Sequence, residues 1–196
     1  AIDPVTPTTY YWGSTEGQIY KSVDEGTTWT VLYDLDYGGS INRIIIDPSN
    51  SSKMYVTAVL GGIWRTTDGG ANWTETQIDN TGWDAEFKPG DSNTVYMSGE
   101  NFHRSTDGGA TWSTISGFQT APKLIGVSPN NSNRVYVLEA MGSGFGALYR
   151  SDDSGATFTK LTHTQNFLGY RQDGNDPGMG QAPRDMGIAV NPTNAN

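Results

Sequence analysis

Apolar residues in this chain come in short runs separated by clusters of Gly, Asp, Asn, Ser and Pro. The stretch around residue 50 is the clearest. Arg43-Ile44-Ile45-Ile46 is a near-continuous apolar run, the pattern of a strand buried on both faces. Asp47 to Ser52 is turn chemistry, and Met54 to Val59 reads as the next strand. Gly61-Gly62 turns the chain into a third strand, Ile63 to Thr66. An Asp68-Gly69-Gly70 hairpin then leads to a fourth, Trp73 to Gln77. No window of helical length carries a helical apolar period, so the chain is predicted to be all-β.

The same order recurs along the chain. Four octets share the form Ser/Thr-x-Asp-x-Gly-x-Thr/Asn-Trp/Phe, with Asp24, Gly26 and Trp29, then Asp68, Gly70 and Trp73, then Asp107, Gly109 and Trp112, then Asp153, Gly155 and Phe158. The four Asp lie 44, 39 and 46 residues apart. A second register runs between them: Pro4, Pro48, Pro89 and Pro129 are each followed seven residues later by Tyr11, Tyr55, Tyr96 and Tyr136. Four-stranded units at about 40–46 residues are the requirement of a β-propeller blade. The units fall at 1–40, 41–81, 82–121 and 122–183, with the start of a fifth at 184–196. The Tyr due seven residues after Pro192 would fall at 199, so about four repeats of a larger ring are expected.

The octet's residue types suit a hairpin scaffold. Gly supplies a positive φ, the Asp carboxylate can accept from turn N–H groups, and Trp or Phe should cover the hairpin with an apolar face. These octets resemble Asp-box (BNR) repeats over essentially the whole chain. Such repeats occur in sialidases, family 74 glycoside hydrolases, sortilin-type receptors and large secreted bacterial surface proteins. The resemblance implies a propeller of four-stranded antiparallel blades, and leaves function to sites grafted on it. It also implies a secreted or cell-surface location.

Function is sought where the repeat breaks. Both departures lie in the fourth unit: Glu139–Gly146 between its second and third strands, and Leu161–Pro183 before the next inner strand. In a four-stranded blade these connections emerge together on the face opposite the Asp boxes, and long loops concentrate function. Tyr170 and Trp83 are candidates to stack on sugar rings, and Arg171 and Arg184 to fork onto a carboxylate. Asp173, Asn175 and Asp176 offer oxygen ligands for calcium, but match no standard loop, so solvated turn residues are the simpler reading and no metal site is assigned. With Tyr170 and Arg171, Asp173 and Asp176 are expected to form the most exposed polar and aromatic cluster of this rim and to contact the ligand.

Two segments are similar to family 74 hydrolases: Gly178-Met-Gly-Gln-Ala-Pro-Arg-Asp185, and Leu32-Tyr33-Asp34 before Gly38-Gly39. This resemblance brings Asp34, Asp36 and Asp185 forward as candidate catalytic carboxylates, with Asp84 on the same rim. An endo-acting glycosidase needs two carboxylates flanking the bond. In that family the second comes from another propeller, so this chain alone is not expected to hydrolyse a glycan. Arg65, Arg104 and Arg150 precede their boxes at one offset and are repeat features, not a sialidase arginine cluster.

Charge narrows the partners further. With 12 Lys+Arg against 21 Asp+Glu the net charge is −9, and no basic stripe exists to follow a phosphate backbone. Nucleic acid is excluded as a main partner. There is no Cys, hence no disulfide or thiolate chemistry, and no apolar run long enough to span a membrane. Gly142–Ala147 fits a dinucleotide glycine pattern, but a strand follows where a helix is required. His103 and His163 lack metal-ligand spacing. The expectation is a binding or scaffold module for a glycan or protein partner, needing no cofactor and completed by further repeats or domains. The alternative is part of a family 74-like glycoside hydrolase.

Overall fold

A computed structural model describes residues 1–196 except 37, 38, 77, 164, 177, 178, 185 and 196. Among the described residues, fifteen strands form four antiparallel sheets in sequence order. Blade 1 holds β1 (Tyr10–Gly13), β2 (Gln18–Ser22) and β3 (Thr30–Asp34). Blade 2 holds β4 (Ile41–Asp47), β5 (Asn50–Ala58), β6 (Gly62–Thr66) and β7 (Thr74–Glu75). Blade 3 holds β8 (Gly82–Lys88), β9 (Asp91–Gly99), β10 (Phe102–Ser105) and β11 (Ser113–Ile115). Blade 4 holds β12 (Lys123–Val127), β13 (Val135–Met141), β14 (Gly144–Ser151) and β15 (Thr159–Leu161). Among the described residues the only helix is a 3-10 turn at Pro129–Asn131.

The inner strands β4, β8 and β12 pack side by side. Blade 1 differs from the expected four strands: Ile2 makes a single bridge to Tyr10 where the inner strand stands elsewhere. The expected turn at Asp47–Ser52 is also tighter than its composition suggests. Asp47 Oδ1 accepts from the Ser49 amide and hydroxyl, which closes the turn in two residues and lets Asn50 pair with Asp47. The outer strand β7 is shorter than the predicted Trp73–Gln77, and Gln77 lies outside the described residues.

The core is divided into layers between successive blades. Ile46, Met54, Val56 and Trp64 pack with Tyr11 and Ile19 of blade 1, while Ile45, Tyr55 and Ile63 pack with Ala85, Val95 and Met97 of blade 3. A third layer joins Tyr96 and Phe102 to Ile125, Val137 and Tyr149. Both faces of each middle blade are therefore buried, which is why Ile44-Ile45-Ile46 shows no polar alternation.

All four Asp boxes close alike. The carboxylate accepts from the amide four residues on (Thr28, Asn72, Thr111, Thr157) and from that residue's side chain. The leading Ser or Thr hydroxyl donates to the same carboxylate and accepts from the box Gly amide. These bonds favour the ionised form and hold Asp24, Asp68 and Asp153 at about 2, with Asp107 depressed further.

The two sequence registers meet between blades. Tyr55, seven residues after Pro48, donates its hydroxyl to Gly108 O in the next blade's box at 2.6 Å. The box glycine beside it, Gly109, leaves no room for a Cβ, which would stand 2.5 Å from that hydroxyl. Gly155 presses on the Tyr96 ring in the same way. The boxes of blades 3 and 4 thus seat on the tyrosine of the preceding blade, whereas Gly70 in the box of blade 2 packs on Leu32 of blade 1. The box of blade 1 has no earlier blade within this chain, and Trp29 is accordingly 40% exposed where Trp73 is 7% exposed. Trp29 still covers its own hairpin, with its ring against Gly26 and Nε1 donating to Gly26 O.

Candidate functional site

Each box hairpin bonds the first turn of its own blade, through Glu25 N to Thr8 O, Gly69 N to Ser52 O, Gly108 N to Asn93 O and Ser154 N to Asn133 O. The remaining connections gather at the other ends of the strands, where Ile41 N meets Ser14 O, Gly62 N meets Asn80 O and Ala140 N meets Pro122 O. Both insertions stand on this second rim and touch. Ala182 N donates to Ser143 O, Phe145 N donates to Asn166 Oδ1, and the Phe145 and Phe167 rings are 5.2 Å apart.

The first insertion is not a loop. Strands β13 and β14 run through it, pairing Glu139 with Ala147 and Ala140 with Phe145 across a bulge, so that only Gly142 and Ser143 turn. Glu139 is buried, accepts from Gln119 N and the Tyr149 hydroxyl, and lies 4.0 Å from the buried Lys123 Nζ. Burial lowers the Lys123 ammonium to about 8, against the opposing pull of Glu139. The ammonium donates to Glu100 O and Ala121 O beneath the rim.

The second insertion is organised by a residue that sequence reasoning missed. Asn166 is buried and fills its whole hydrogen-bonding capacity: Oδ1 accepts from Phe145 N and Leu168 N, and Nδ2 donates to Asp176 O and Met179 O. Nothing in the local sequence separates it from the other loop asparagines. Asp176 is the second anchor. It was expected in an exposed cluster with Tyr170, Arg171 and Asp173, yet it is buried, because its Oδ2 accepts from the Tyr170 and Arg171 amides. Asp173 turns instead to Arg171, which grips it through Nε and Nη2 at 3.0 and 2.8 Å. The two carboxylates thus serve different partners.

What this scaffold displays is aromatic. Phe167 and Tyr170 are 58% and 63% exposed, and both line two concavities, of about 510 Å³ and about 350 Å³. His163 and Phe145 pack edge-on behind Phe167. Trp83 is half-buried on β8, and Arg184 is exposed with its amide bonded to Gln181 O.

The candidate carboxylates are dispersed. Asp34, at the end of β3, is exposed; its Oδ2 accepts from Gln18 Nε2 and its Oδ1 from Asp36 N, which hold its pKa down. Asp36 follows at φ 63°. Asp185 lies outside the described residues. Asp84 is committed to the scaffold: Oδ2 accepts from Ile125 N on the next inner strand, and Oδ1 faces Arg43, which also grips Glu86. Burial raises both the Asp84 and Glu86 carboxyls in spite of that arginine. One further rim tie was not anticipated. Asp79 accepts from the Asn101 amide and side chain and pairs with the buried His103 at 2.7 Å.

Residues 17–102 match the Sortilin-Vps10 family model, described as sortilin, neurotensin receptor 3. A xyloglucanase of a Paenibacillus species is 29% identical over 188 residues, covering 73% of this chain and 17% of its own length. A vacuolar protein sorting/targeting protein 10 of Fusarium vanettenii is 30% identical over 116 residues, covering 56% of this chain and 8% of its own. Among solved structures, an ancestral GH74 enzyme superposes with a TM-score of 0.73 at 19% identity, over 84% of this chain and 24% of that one. The chain is thus a partial β-propeller of the Asp-box type. It spans less than a fifth of the length of the xyloglucanase it matches. Among the described residues, no helix is long and apolar enough to cross a membrane.

Proposed function

We propose that this chain is part of an extracellular polysaccharide-binding propeller, and that the rim carrying the two insertions is the contact surface for a β-glucan such as xyloglucan. The single observation that carries this reading is the exposed pair Phe167 and Tyr170, which line the same two concavities. Two exposed aromatic rings stand on a backbone pinned by Asn166 and Asp176, so stacking against sugar rings costs little ordering entropy. The xyloglucanase names of several relatives support a glycan over a peptide. Residues 186–195, which lie along β12 with Ile188 and Val190 against Gly126, begin a fifth blade, and further repeats complete the ring.

Affinity electrophoresis in gels containing xyloglucan tests the reading. The full chain should be retarded, and Phe167→Ala/Tyr170→Ala should weaken retention about tenfold or more, since aromatic anchors dominate such surfaces. Equal retention of both proteins would overturn it. A second reading, hydrolysis by the parent protein, is favoured by Asp34, which Gln18 and the Asp36 amide keep ionised on the same rim. Its partner carboxylate would then lie outside this chain.

A further inference from the structure

The larger concavity at Phe167 and Tyr170 holds one ion pair. Among the described residues that line it, Arg171 and Asp173 alone carry charge, while Gln165, Asn166 and Gln172 contribute neutral amides. The pair faces across a turn closed by the backbone, in which Gly174 N donates to Arg171 O and Asn166 N donates to Gly174 O. Both partners are held in place. The Arg171 amide donates to the buried Asp176 carboxylate, and Asp173 Oδ1 accepts from Asn175 N at 3.0 Å. The guanidinium closes on the carboxylate aimed in this way, with Nε donating to Oδ1 and Nη2 to Oδ2. Two parallel bonds of this kind are how arginine recognises a carboxylate.

Arg171 was expected to fork onto the carboxylate of a ligand, and its own loop supplies one instead. The pair stands where a ligand reaches it: the two side chains are 61% and 47% exposed, and Arg171 directly follows the exposed Tyr170. Arg171, then the Asn175 amide, holds the Asp173 carboxyl below its ordinary value, so the carboxylate stays ionised at neutral pH. An exposed ion pair adds little to stability, so the consequence of this one falls on what the surface accepts. A tethered carboxylate competes for the fork at an effective concentration on the order of millimolar or above, which a dilute external carboxylate does not match. An incoming anion therefore meets a neutral pair, with Asp173 repelling it.

We propose that Asp173 is a built-in carboxylate that makes this concavity selective for neutral glycans, by occupying the arginine fork that a uronic acid would otherwise take. The inference rests on the reading of the rim as a glycan-contact surface and adds the class of glycan it refuses. Specificity of this kind comes from a repulsive element set against the wrong ligand as much as from contacts to the right one.

Affinity electrophoresis of the full chain in hydroxyethylcellulose and in carboxymethylcellulose compares a neutral and an anionic polymer on one β-glucan backbone. The wild type should be retarded by the neutral polymer and about tenfold less by the anionic one. Asp173→Asn keeps the shape and an acceptor for Asn175 N but removes the charge. It should raise the ratio of anionic to neutral affinity about tenfold or more. Adding Arg171→Gln to that variant should return the ratio to the wild-type value. Glu25→Gln removes the same charge from the exposed box hairpin on the opposite rim, and should leave the ratio where it was, which sets aside a general effect of the net charge of −9. Equal wild-type affinity for the two polymers, an unchanged ratio in Asp173→Asn, a gain that survives Arg171→Gln, or the same gain in Glu25→Gln would each overturn the proposal while leaving the rim a glycan surface. A wild type retarded by neither polymer would overturn the reading of the rim itself, and the proposal with it.

Discussion

Gly109→Ala isolates the energy of one seam between blades. Gly109 has φ +76°, a conformation that costs an L-residue roughly 1–2 kcal/mol. The added methyl would also stand 2.5 Å from the Tyr55 hydroxyl oxygen and 2.9 Å from Cε1. Tyr55 is fully buried between Phe87 and Trp112, and its hydroxyl is tied to Gly108, so the ring has no free direction of retreat. Overpacking of this kind adds about 1–3 kcal/mol, for a total of about 2–5 kcal/mol. Gly69 is the internal control. Its φ is also +76°, but a methyl there meets nothing within 4 Å, so Gly69→Ala should cost only the conformational part, about 1–2 kcal/mol. Glu25 and Ser154 occupy the equivalent position at φ 57° and 60°, which shows that a side chain is tolerated there. Urea unfolding followed by tryptophan fluorescence measures both variants. Tyr55→Phe, which removes the nearest atom, should shrink the cost of Gly109→Ala in a double-mutant cycle. Equal costs for the two glycines, or no coupling to Tyr55, would refute the seam as the reason for Gly109.

Two further outcomes follow from the hydrogen bonds. Asp24, Asp68 and Asp153 titrate near 2 in the folded chain, below the value of about 3.9 in an unfolded one, so the stability they add is complete above about pH 4 and is lost as pH falls through about 2. Carboxyl 13C titration should give midpoints near 2, and midpoints near 4 would contradict the box geometry. Asp176→Ala frees the Tyr170 and Arg171 amides, and should speed proteolysis between 165 and 176 while moving global stability by less than about 1 kcal/mol. Unchanged cleavage would show that the insertion is held by other means.

The fold was legible because its signals are local. An apolar run such as Ile44–Ile46 reports burial on both faces, and the box residues bond within five positions of one another. The tyrosine register was visible too, but its purpose was not. Tyr55 finds Gly108 fifty-three residues on, and only the stacking of blades brings the two together. The rim was harder still. An aspartate in a glycine-rich loop reads as solvated, yet two converging amides draw Asp176 inside. Asn166 has no sequence signature at all, since what singles it out is the convergence of four main-chain groups from two separate insertions.

The links from blade 2 to 3 and from blade 3 to 4 join unlike surfaces: a glycine-bearing hairpin on one side, a tyrosine on the other. Unlike a self-complementary contact, a link of this polarity can be repeated head to tail any number of times. A duplication that copies one whole blade copies both halves, so the newcomer arrives already matched to each neighbour. Ring size can then drift over evolutionary time without any contact being reinvented. A designer could likewise lengthen or shorten such an array by whole units, provided each keeps its tyrosine and the second glycine of its hairpin.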